Sequence, residues 1–366
     1  MTETAPFIQT VTGPVAPGEL GVTMPHEHVF LHNPSFVEPQ EASERFRAHE
    51  PVSESNIEWV RQYWTSNVDN LQLYDEEVAI EEVRRYYRAG GDAIVDPTTR
   101  WIARDPRALF RVSRATGVKI VAGTGFYVAE THPGDMDRRS DADLAAEMIH
   151  ELTTGIDDTG VKAGLIGEMG CYWPLRDAER KALRAAAIAS LETNAAVMVH
   201  PGRDPAAPAE IIDVLTTAGM DTSRIIIAHI DRTVLEPKEV LDLAETGVYL
   251  EYDIFGQETS MFPTVGVMTD AGLVPRRPAG LSMPNDAERL DRVDLLVEHG
   301  FAERVLMSMD ICTKHRLHRY GGHGYDYIVE HIVPWMRRRG TSQDVLDTIL
   351  RANPQRVFSM TGAGGP

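Results

Sequence analysis

The feature that most constrains the fold is a regular alternation of helical and strand segments between residues 75 and 310. Segments with helical periodicity are each followed by a short apolar run that is typical of a buried strand. Apolar strands of this kind indicate a parallel sheet that is covered by helices on both faces. The predicted helices cover 75–88, 105–115, 141–157, 177–194, 208–218, 237–245 and 286–299. The predicted strands cover 93–96, 118–122, 163–168, 196–200, 224–229, 247–253 and 304–310.

A further strand that ends in His26 brings the number of predicted strands to eight. Eight β/α units predict an α/β fold of the TIM (β/α)8 barrel type rather than an open, doubly wound sheet. One barrel accounts for nearly all of the 366 residues, so we expect a single domain over 1–366. Segments 7–11 and 20–23 are predicted to form a short hairpin in front of the barrel.

Two long segments, about 33–75 and 256–285, interrupt the alternation and are predicted to be loop insertions. The first is polar, contains several prolines and is expected to be partly helical. A connection of this length is compatible with a lid over a functional site or with a contact in a dimer. The second is apolar enough to form the wall of a pocket or a dimer contact. A homodimer is the expected assembly.

Composition narrows the classes of function. The net charge of -19 argues against a nucleic-acid partner or an anionic membrane surface, because phosphates would be repelled. Two cysteines provide neither a disulfide framework nor a cysteine-rich zinc site. The N-terminal residues lack the pattern of a signal peptide, and no apolar run approaches about 18 residues. We therefore expect a soluble cytoplasmic protein. The charge says little about a small-molecule substrate, which is the expected partner.

Side chains that commonly bind metals stand at the ends of the predicted strands. In a TIM barrel, the C-terminal ends of the strands meet at one rim, where active sites are built. Polar groups at a buried rim are costly unless they are paired, and a metal centre would pair all of them. The six residues are His26, His28, Glu168, His200, His229 and Asp310.

Each of these residues alone has a simpler explanation. His200 could be a turn residue before Pro201, His229 a hydrogen-bonded core histidine, and Asp310 a cap for the next segment. The pair His26 and His28 could be ordinary polar residues at a strand edge. Their joint placement at the ends of strands in one barrel favours the metal site.

On these residues, the chain resembles the phosphotriesterase family of the amidohydrolase superfamily, in its glutamate-bridged branch. The resemblance covers most of the chain but not the two insertions. It is carried by the ordered stretches 10–14, 20–28, 94–96, 121–127, 229–232, 320–322 and 353–356.

The resemblance implies a centre of two divalent metal ions, of which zinc is favoured and cobalt, manganese or iron are also compatible. It implies that His26, His28 and Asp310 hold one ion, and that His200 and His229 hold the other.

Many members of the family bridge the two ions with a carboxylated lysine on the fourth strand. Here Lys162 precedes that strand and would lie at the wrong end of the barrel, whereas Glu168 ends it. Since one branch of the family uses glutamate, Glu168 is predicted to be the bridging ligand.

The expected reaction is hydrolysis of a carboxylic ester or lactone by a metal-bridging hydroxide. Asp310 is predicted to take the proton and pass it to the leaving group, although a purely ligating role is the alternative. Amide hydrolysis of an N-acyl substrate and phosphotriester cleavage are the rival reactions on the same site. A barrel that binds a ligand or metal without catalysis is the alternative from another class.

Loops after the strands are predicted to contact the substrate through Trp101, Tyr127, Arg232 and Lys314. Packing could equally explain Tyr127, and a salt bridge to Asp231 or to a neighbouring acid could explain Arg232. Lys314 begins a basic stretch that would attract an anionic substrate if it lay at the barrel mouth.

Overall fold

The computed structural model describes residues 5–39, 41–258, 268–269, 272–273 and 283–361. Eight parallel strands follow one another in a single sheet in chain order. They are Thr23–Met24, Ala93–Asp96, Lys119–Thr124, Leu165–Gly170, Val197–His200, Ile225–Ile227, Tyr249–Tyr252 and Val305–Met307. With helices packed around this sheet, the predicted TIM barrel is confirmed.

The helices between the strands begin and end close to the predicted residues. They are Glu76–Arg88, Pro106–Thr116, Asp141–Thr153, Asp177–Thr193, Ala207–Thr217, Pro237–Ala244 and Asp286–Glu298. Several begin at a side chain that caps free backbone N–H groups. The Asp75 carboxylate accepts from two N–H groups, and Ser140 and Asn285 each form a capping box. Short helices Val333–Arg339, Gln343–Asp347 and Asn353–Val357 follow the last strand.

The barrel interior is filled by alternate residues of its strands. Val95, Val121, Met198 and Tyr249 belong to one buried apolar cluster inside the barrel. The same cluster includes Ile8 of the N-terminal hairpin, so the hairpin covers one end of the barrel. A larger apolar cluster forms where the outer faces of the strands pack against the helices. These two layers leave the polar strand ends at the opposite rim.

The hairpin is tighter than the sequence suggested. Ile8–Thr10 pairs with Gly13–Val15, and the predicted second arm, 20–23, leads into the first barrel strand instead. The Thr10 hydroxyl donates to the Gly13 carbonyl at 2.6 Å, which closes the turn. Gly13 has a φ of +123°, a value that glycine adopts without strain. This local turn chemistry outweighed the apolar pattern of 20–23.

Backbone hydrogen bonds join the end of the eighth strand to the end of the first. The Asp310 N–H donates to the His26 carbonyl at 3.1 Å, and the His28 N–H donates to the Ile311 carbonyl at 3.2 Å. The barrel is therefore closed at the residues that carry three of the predicted metal ligands.

The side chain of Glu27 adds further hydrogen bonds to this junction between the first and eighth strands. Its buried carboxylate accepts hydrogen bonds from the Ser308 hydroxyl and from the N–H groups of Met309 and Ile311, each at 2.8 Å. Burial raises the pKa of Glu27 to about 7, although these three donors favour the carboxylate. One side chain just after the first strand thus accepts hydrogen bonds from three donors just after the eighth strand.

The insertion 33–75 is closed at its base by pairing of Leu31–His32 with Gln72–Leu73. Between these strands it forms short helices, which include Ile57–Gln62 and Asp69–Leu71. It packs on the loop after the eighth strand, where Trp59 and Val60 cluster beside Tyr320. The insertion therefore stands beside the barrel mouth.

The second insertion, 256–285, lies mostly outside the described residues. Within it, Met268–Thr269 pairs with Gly272–Leu273. In the described part of the chain, no helix is both long and apolar enough to cross a membrane. The predicted homodimer and the cytoplasmic location stay predictions.

Replacing Glu27 with alanine is expected to destabilise the barrel. The variant leaves the N–H groups of Met309 and Ile311 without their acceptor, at a cost of about 1–3 kcal/mol for each, whereas the Ser308 hydroxyl keeps the His26 carbonyl at 2.9 Å. We expect the free energy of unfolding in urea to fall by about 2 kcal/mol or more. Glu54→Ala, at an exposed position, is the matched control and should change stability by less than about 0.5 kcal/mol. Wild-type stability of Glu27→Ala would contradict this account of the junction.

Candidate active site

The structure brings all six predicted ligands together at one rim of the barrel. Glu168 lies at the centre, with Oε1 2.7 Å from His200 Nδ1 and 2.8 Å from His229 Nε2. Its Oε2 lies 3.8 Å from His28 Nε2. Asp310 Oδ1 lies 3.2 Å from His28 Nε2 and 3.8 Å from His26 Nε2. These six residues are called the six-residue cluster below.

Local backbone irregularities aim several of these side chains. The pairing of the fourth and fifth strands shifts register between Ile166 and Met169, and Glu168 lies in this irregular segment. Such bulges commonly redirect a side chain beside a functional site. His229 and Asp310 have φ values of +55° and +47°, which are uncommon for residues other than glycine. Both strands therefore end in sharp turns at a member of the cluster.

Asp253 orients two of the histidines at once. Its Oδ2 lies 2.9 Å from His26 Nδ1, and its Oδ1 lies 2.7 Å from His229 Nδ1. Because a carboxylate only accepts, each Nδ1 donates its proton to Asp253. Nε2 is then the atom of each ring that faces the cluster: His229 Nε2 lies 2.8 Å from Glu168 Oε1, and His26 Nε2 has no hydrogen-bond partner among the described residues. With the proton on Nδ1, a lone pair on Nε2 would be available to an ion bound there. This is the tautomer that a metal ligand requires.

The remaining contacts hold the first histidines in place. Glu251 Oε2 lies 3.3 Å from His26 Nδ1, and the Thr98 hydroxyl lies 2.7 Å from His28 Nδ1. The buried Asp96 carboxylate accepts from the N–H groups of Val29 and Thr98, which fixes the loop that carries Thr98. These residues form an outer layer around the six-residue cluster.

The cluster stabilises positive charge. Burial opposes protonation of His26, but Glu168 and Asp253 outweigh it and raise the pKa of this histidine well above its usual value. For His229 the burial effect is likewise outweighed, chiefly by Asp253, and the pKa rises to about 9. For His200, burial and the charge of His229 outweigh the effect of Glu168 and lower the pKa to about 4. A metal cation at this place would satisfy the same carboxylates that favour the imidazolium protons.

The donor set fits divalent metal ions. In the described part of the chain, His26 Nε2 is a buried nitrogen without a hydrogen-bond partner. Ligand atoms of His26, His28 and Asp310 lie within 4.8 Å of one another, as do those of His26, Glu168 and His229. Histidine and carboxylate ligands in such groups suit zinc and related ions.

A third group of possible ligands, His26 with Glu251 and Asp253, meets the same distance limit. We assign it to the outer layer instead. Both carboxylates there face His26 Nδ1, and the nearer one lies at hydrogen-bond distance. That nitrogen cannot donate its proton to a carboxylate and bind a metal at the same time.

Of the predicted substrate contacts, Tyr127 and Arg232 lie beside the cluster. The Tyr127 hydroxyl is 3.4 Å from His200 Nδ1, and Arg232 Nη2 is 3.1 Å from His200 Nε2. The described hydrogen bonds of Arg232 go to Thr233, His200 and Pro201, and Asp231 pairs with the buried Arg289 at 2.9 Å, so the structure shows no salt bridge between Asp231 and Arg232 among the described residues.

The other two predicted contacts are engaged elsewhere. Lys314 Nζ pairs with Asp69 Oδ1 of the insertion 33–75 at 2.6 Å, which accounts for its charge. Trp101 is 40% exposed, and the Arg100 guanidinium lies 5.6 Å from its ring centre. Neither residue makes a described contact with the six-residue cluster.

A family model described as the phosphotriesterase family matches residues 6–358. The chain belongs to the phosphotriesterase family. It is therefore a hydrolase-family member, as the sequence motifs predicted.

Similar members of this family include an "N-acetyltaurine hydrolase" from Rattus norvegicus, which is 42% identical over 95% of this chain and 97% of that protein. The Homo sapiens protein of the same name is 41% identical, over 95% and 97% of the two chains.

Among solved structures, a resiniferatoxin-binding protein from Rhodobacter sphaeroides superposes with a TM-score of 0.88 and 34% identity, covering 96% of this chain and 94% of that one. A phosphotriesterase homology protein from Escherichia coli, solved with phosphate in its active site, gives a TM-score of 0.73 and 26% identity, covering 93% and 99%.

Sequence reasoning missed the outer layer of this phosphotriesterase-family site. Glu251 and Asp253 alternate at the end of the seventh strand, which is the pattern that identified the other ligands. The position of Asp96 at the end of the second strand gave the same signal. Nothing in the sequence marks Thr98 as part of the site, since threonine is common in loops.

Replacing Asp253 with asparagine is expected to weaken metal binding. The amide cannot accept hydrogen bonds from both His26 and His229, so one ring loses its orientation. We expect zinc affinity to fall about 10–100-fold, measured by competition with a chromophoric chelator. Asp213→Asn, on an exposed helix position, is the control and should bind zinc like the wild type. Equal zinc affinity of the wild type and Asp253→Asn would show that Asp253 does not orient the ligands.

Proposed function

We propose that this protein is a metal-dependent amide hydrolase that cleaves N-acyl derivatives of small amines. The observation that carries the proposal is the 42% identity, over 95% of the chain, to relatives named N-acetyltaurine hydrolase. An amide is the bond that this name implies, and a cluster of histidines and carboxylates suits its hydrolysis. The proposal replaces the preference for an ester or lactone that the sequence alone suggested.

The six-residue cluster would hold two divalent ions, of which zinc is the favoured metal. His26, His28 and Asp310 would hold one ion and His200 and His229 the other, with Glu168 between them. Ions bound there would polarise the scissile carbonyl and activate a water molecule for attack. The first set is one of the groups whose ligand atoms lie within 4.8 Å of one another, and His200 Nδ1 and His229 Nε2 both lie within hydrogen-bond distance of Glu168 Oε1.

Asp310 is proposed to move the proton during the reaction. Its side chain is 20% exposed, whereas that of Glu168 is 3% exposed, so Asp310 is the carboxylate of the cluster that opens toward the mouth. From this position it can take a proton from the attacking water and deliver it to the leaving nitrogen. An amide needs this step more than an ester does, because a free amide anion is a very poor leaving group.

Tyr127 is proposed to bind the substrate as a hydrogen-bond donor. Burial and the nearby charge of Glu168 raise the pKa of its phenol well above the usual value, so the hydroxyl stays protonated. Its oxygen lies 3.4 Å from His200 Nδ1, at the edge of the cluster. A protonated phenol there can donate to the carbonyl oxygen of the substrate.

The ester or lactone alternative stays a prediction. A lactonase from Listeria monocytogenes superposes with a TM-score of 0.73, but at 24% identity it supports the fold alone. Phosphotriester cleavage is a further alternative on the same site.

A substrate panel tests the proposed reaction. We expect zinc-loaded protein to release amine from N-acetyltaurine and related N-acyl compounds with a higher kcat/KM than it shows for lactones, aryl esters or phosphotriesters. The rates are measured side by side at one pH, with chelator-treated protein as the control. A panel in which lactones or phosphotriesters are turned over better than every amide would contradict the proposal.

Replacing Asp310 with asparagine tests the proton transfer. Loss of a positioned acid–base group lowers rates about 10²–10⁴-fold, so kcat should fall by about this factor. Metal content is measured in the same samples, since Asp310 is also a proposed ligand. A variant that retains both ions and near-normal kcat would remove the role assigned to Asp310.

A further inference from the structure

Arg232 is a guanidinium beside the site whose hydrogen bonds, in the described part of the chain, all go to uncharged acceptors. These are His200 Nε2 at 3.1 Å, the Pro201 carbonyl at 3.4 Å and the Thr233 hydroxyl at 3.5 Å. The adjacent Asp231 directs its Oδ2 to Arg289 and makes no described salt bridge with Arg232. A half-buried arginine without a carboxylate partner at the edge of a site is suited to an anionic ligand.

The contact between Arg232 and His200 depends on the tautomer of the histidine. In the structure, Arg232 Nη2 donates to His200 Nε2, while Nδ1 of the same ring faces Glu168 at 2.7 Å. If His200 binds a metal through Nδ1, its proton lies on Nε2, and this nitrogen becomes a donor. Two donors then face each other, and Arg232 must find another acceptor.

Arg203 is a second cation in the same region. It follows the loop after His200 and is half-buried. Burial, together with the charge of Arg232, lowers the pKa of Arg203 to about 9, whereas Tyr127 acts in the opposite direction. Arg203 stands three residues after His200, which Arg232 contacts, so its charge would add to the attraction of an anion by Arg232.

We propose that Arg232, assisted by Arg203, binds an anionic group on the substrate, a sulfonate or a carboxylate, at the far side of the scissile amide. A planar guanidinium binds the paired oxygens of either anion in the same way. This inference rests on the proposed amide hydrolysis for its substrate class. It assigns specificity to two residues in the segments after the fifth and sixth strands.

Binding of probes that lack an amide tests the pair without turnover. Propane-1-sulfonate and butyrate carry the two candidate anions, and ethyl methyl sulfone is a neutral comparison. The dissociation constants for zinc-loaded protein are measured by calorimetry. We expect Arg232→Gln to weaken binding of the preferred anion roughly 10–100-fold, the effect of losing one or two charge-assisted hydrogen bonds. Arg203→Gln should have a smaller effect in the same direction.

Two controls keep the test independent of folding. Arg107→Gln makes the same change at an exposed position beside the N-terminal hairpin and should bind the anion like the wild type. Arg232→Lys retains the charge and should lie between the wild type and Arg232→Gln. Thermal melting and metal content are recorded for each variant. Unchanged anion binding in Arg232→Gln and Arg203→Gln, or equal losses for the anionic and neutral probes, would overturn the inference.

Turnover separates this inference from the proposed function. N-acetyltaurine and N-acetyl-β-alanine are compared with neutral N-ethylacetamide, and Arg232→Gln should lower kcat/KM for the anionic amides at least 10-fold more than for the neutral one. The better anionic substrate identifies whether a sulfonate or a carboxylate is recognised. If the wild type cleaves no amide but binds the anionic probes through Arg232, the proposed reaction fails and the anion site stands. If it cleaves amides with no preference for an anion, the inference fails and the reaction stands.

Discussion

The junction between the first and eighth strands is the contact on which the site depends. The Glu27 carboxylate accepts three hydrogen bonds from segment 308–311, which contains Asp310. Glu27 lies between His26 and His28, so the turn that closes the barrel also points both imidazoles toward that aspartate. Residues nearly 300 positions apart in the sequence are thereby held within a few ångströms. The hydrogen bonds that close the barrel are therefore also the ones that bring His26, His28 and Asp310 together.

A second constraint is the charge at the centre of the rim. Glu168 and Asp253 are both buried, and each contacts two of the histidines. Buried carboxylates are stable only beside compensating positive charge, which explains the raised pKa values of His26 and His229. Glu168 faces the ring nitrogens that point into the cluster, whereas Asp253 faces the Nδ1 atoms of His26 and His229 behind it. Glu168 is therefore placed to bridge metal ions, and Asp253 is placed to fix the tautomers of the two histidines. The geometry therefore divides the roles of two residues of similar chemistry.

The sequence predicted the barrel and the members of the six-residue cluster because both follow from periodicity: apolar runs define the strands, and the barrel brings their ends together. It could not predict partnerships that depend on loop conformation. The Lys314–Asp69 pair joins residues 245 positions apart through the insertion 33–75. Arg289, on the helix Asp286–Glu298, is fully buried because it pairs with Asp231 and Asp286. The alternation of Glu251 and Asp253 at the end of the seventh strand is visible in the sequence and could have identified Asp253 as a residue of the site.

The most direct test of the account is a crystal structure of zinc-soaked protein with anomalous data collected at the zinc edge. Two anomalous peaks are expected at the rim, each marking one zinc ion. His26, His28 and Asp310 should bind one ion and His200 and His229 the other, with Glu168 between them. A single peak, no peak, or a peak at His26 Nδ1 between Glu251 and Asp253 would contradict this expectation.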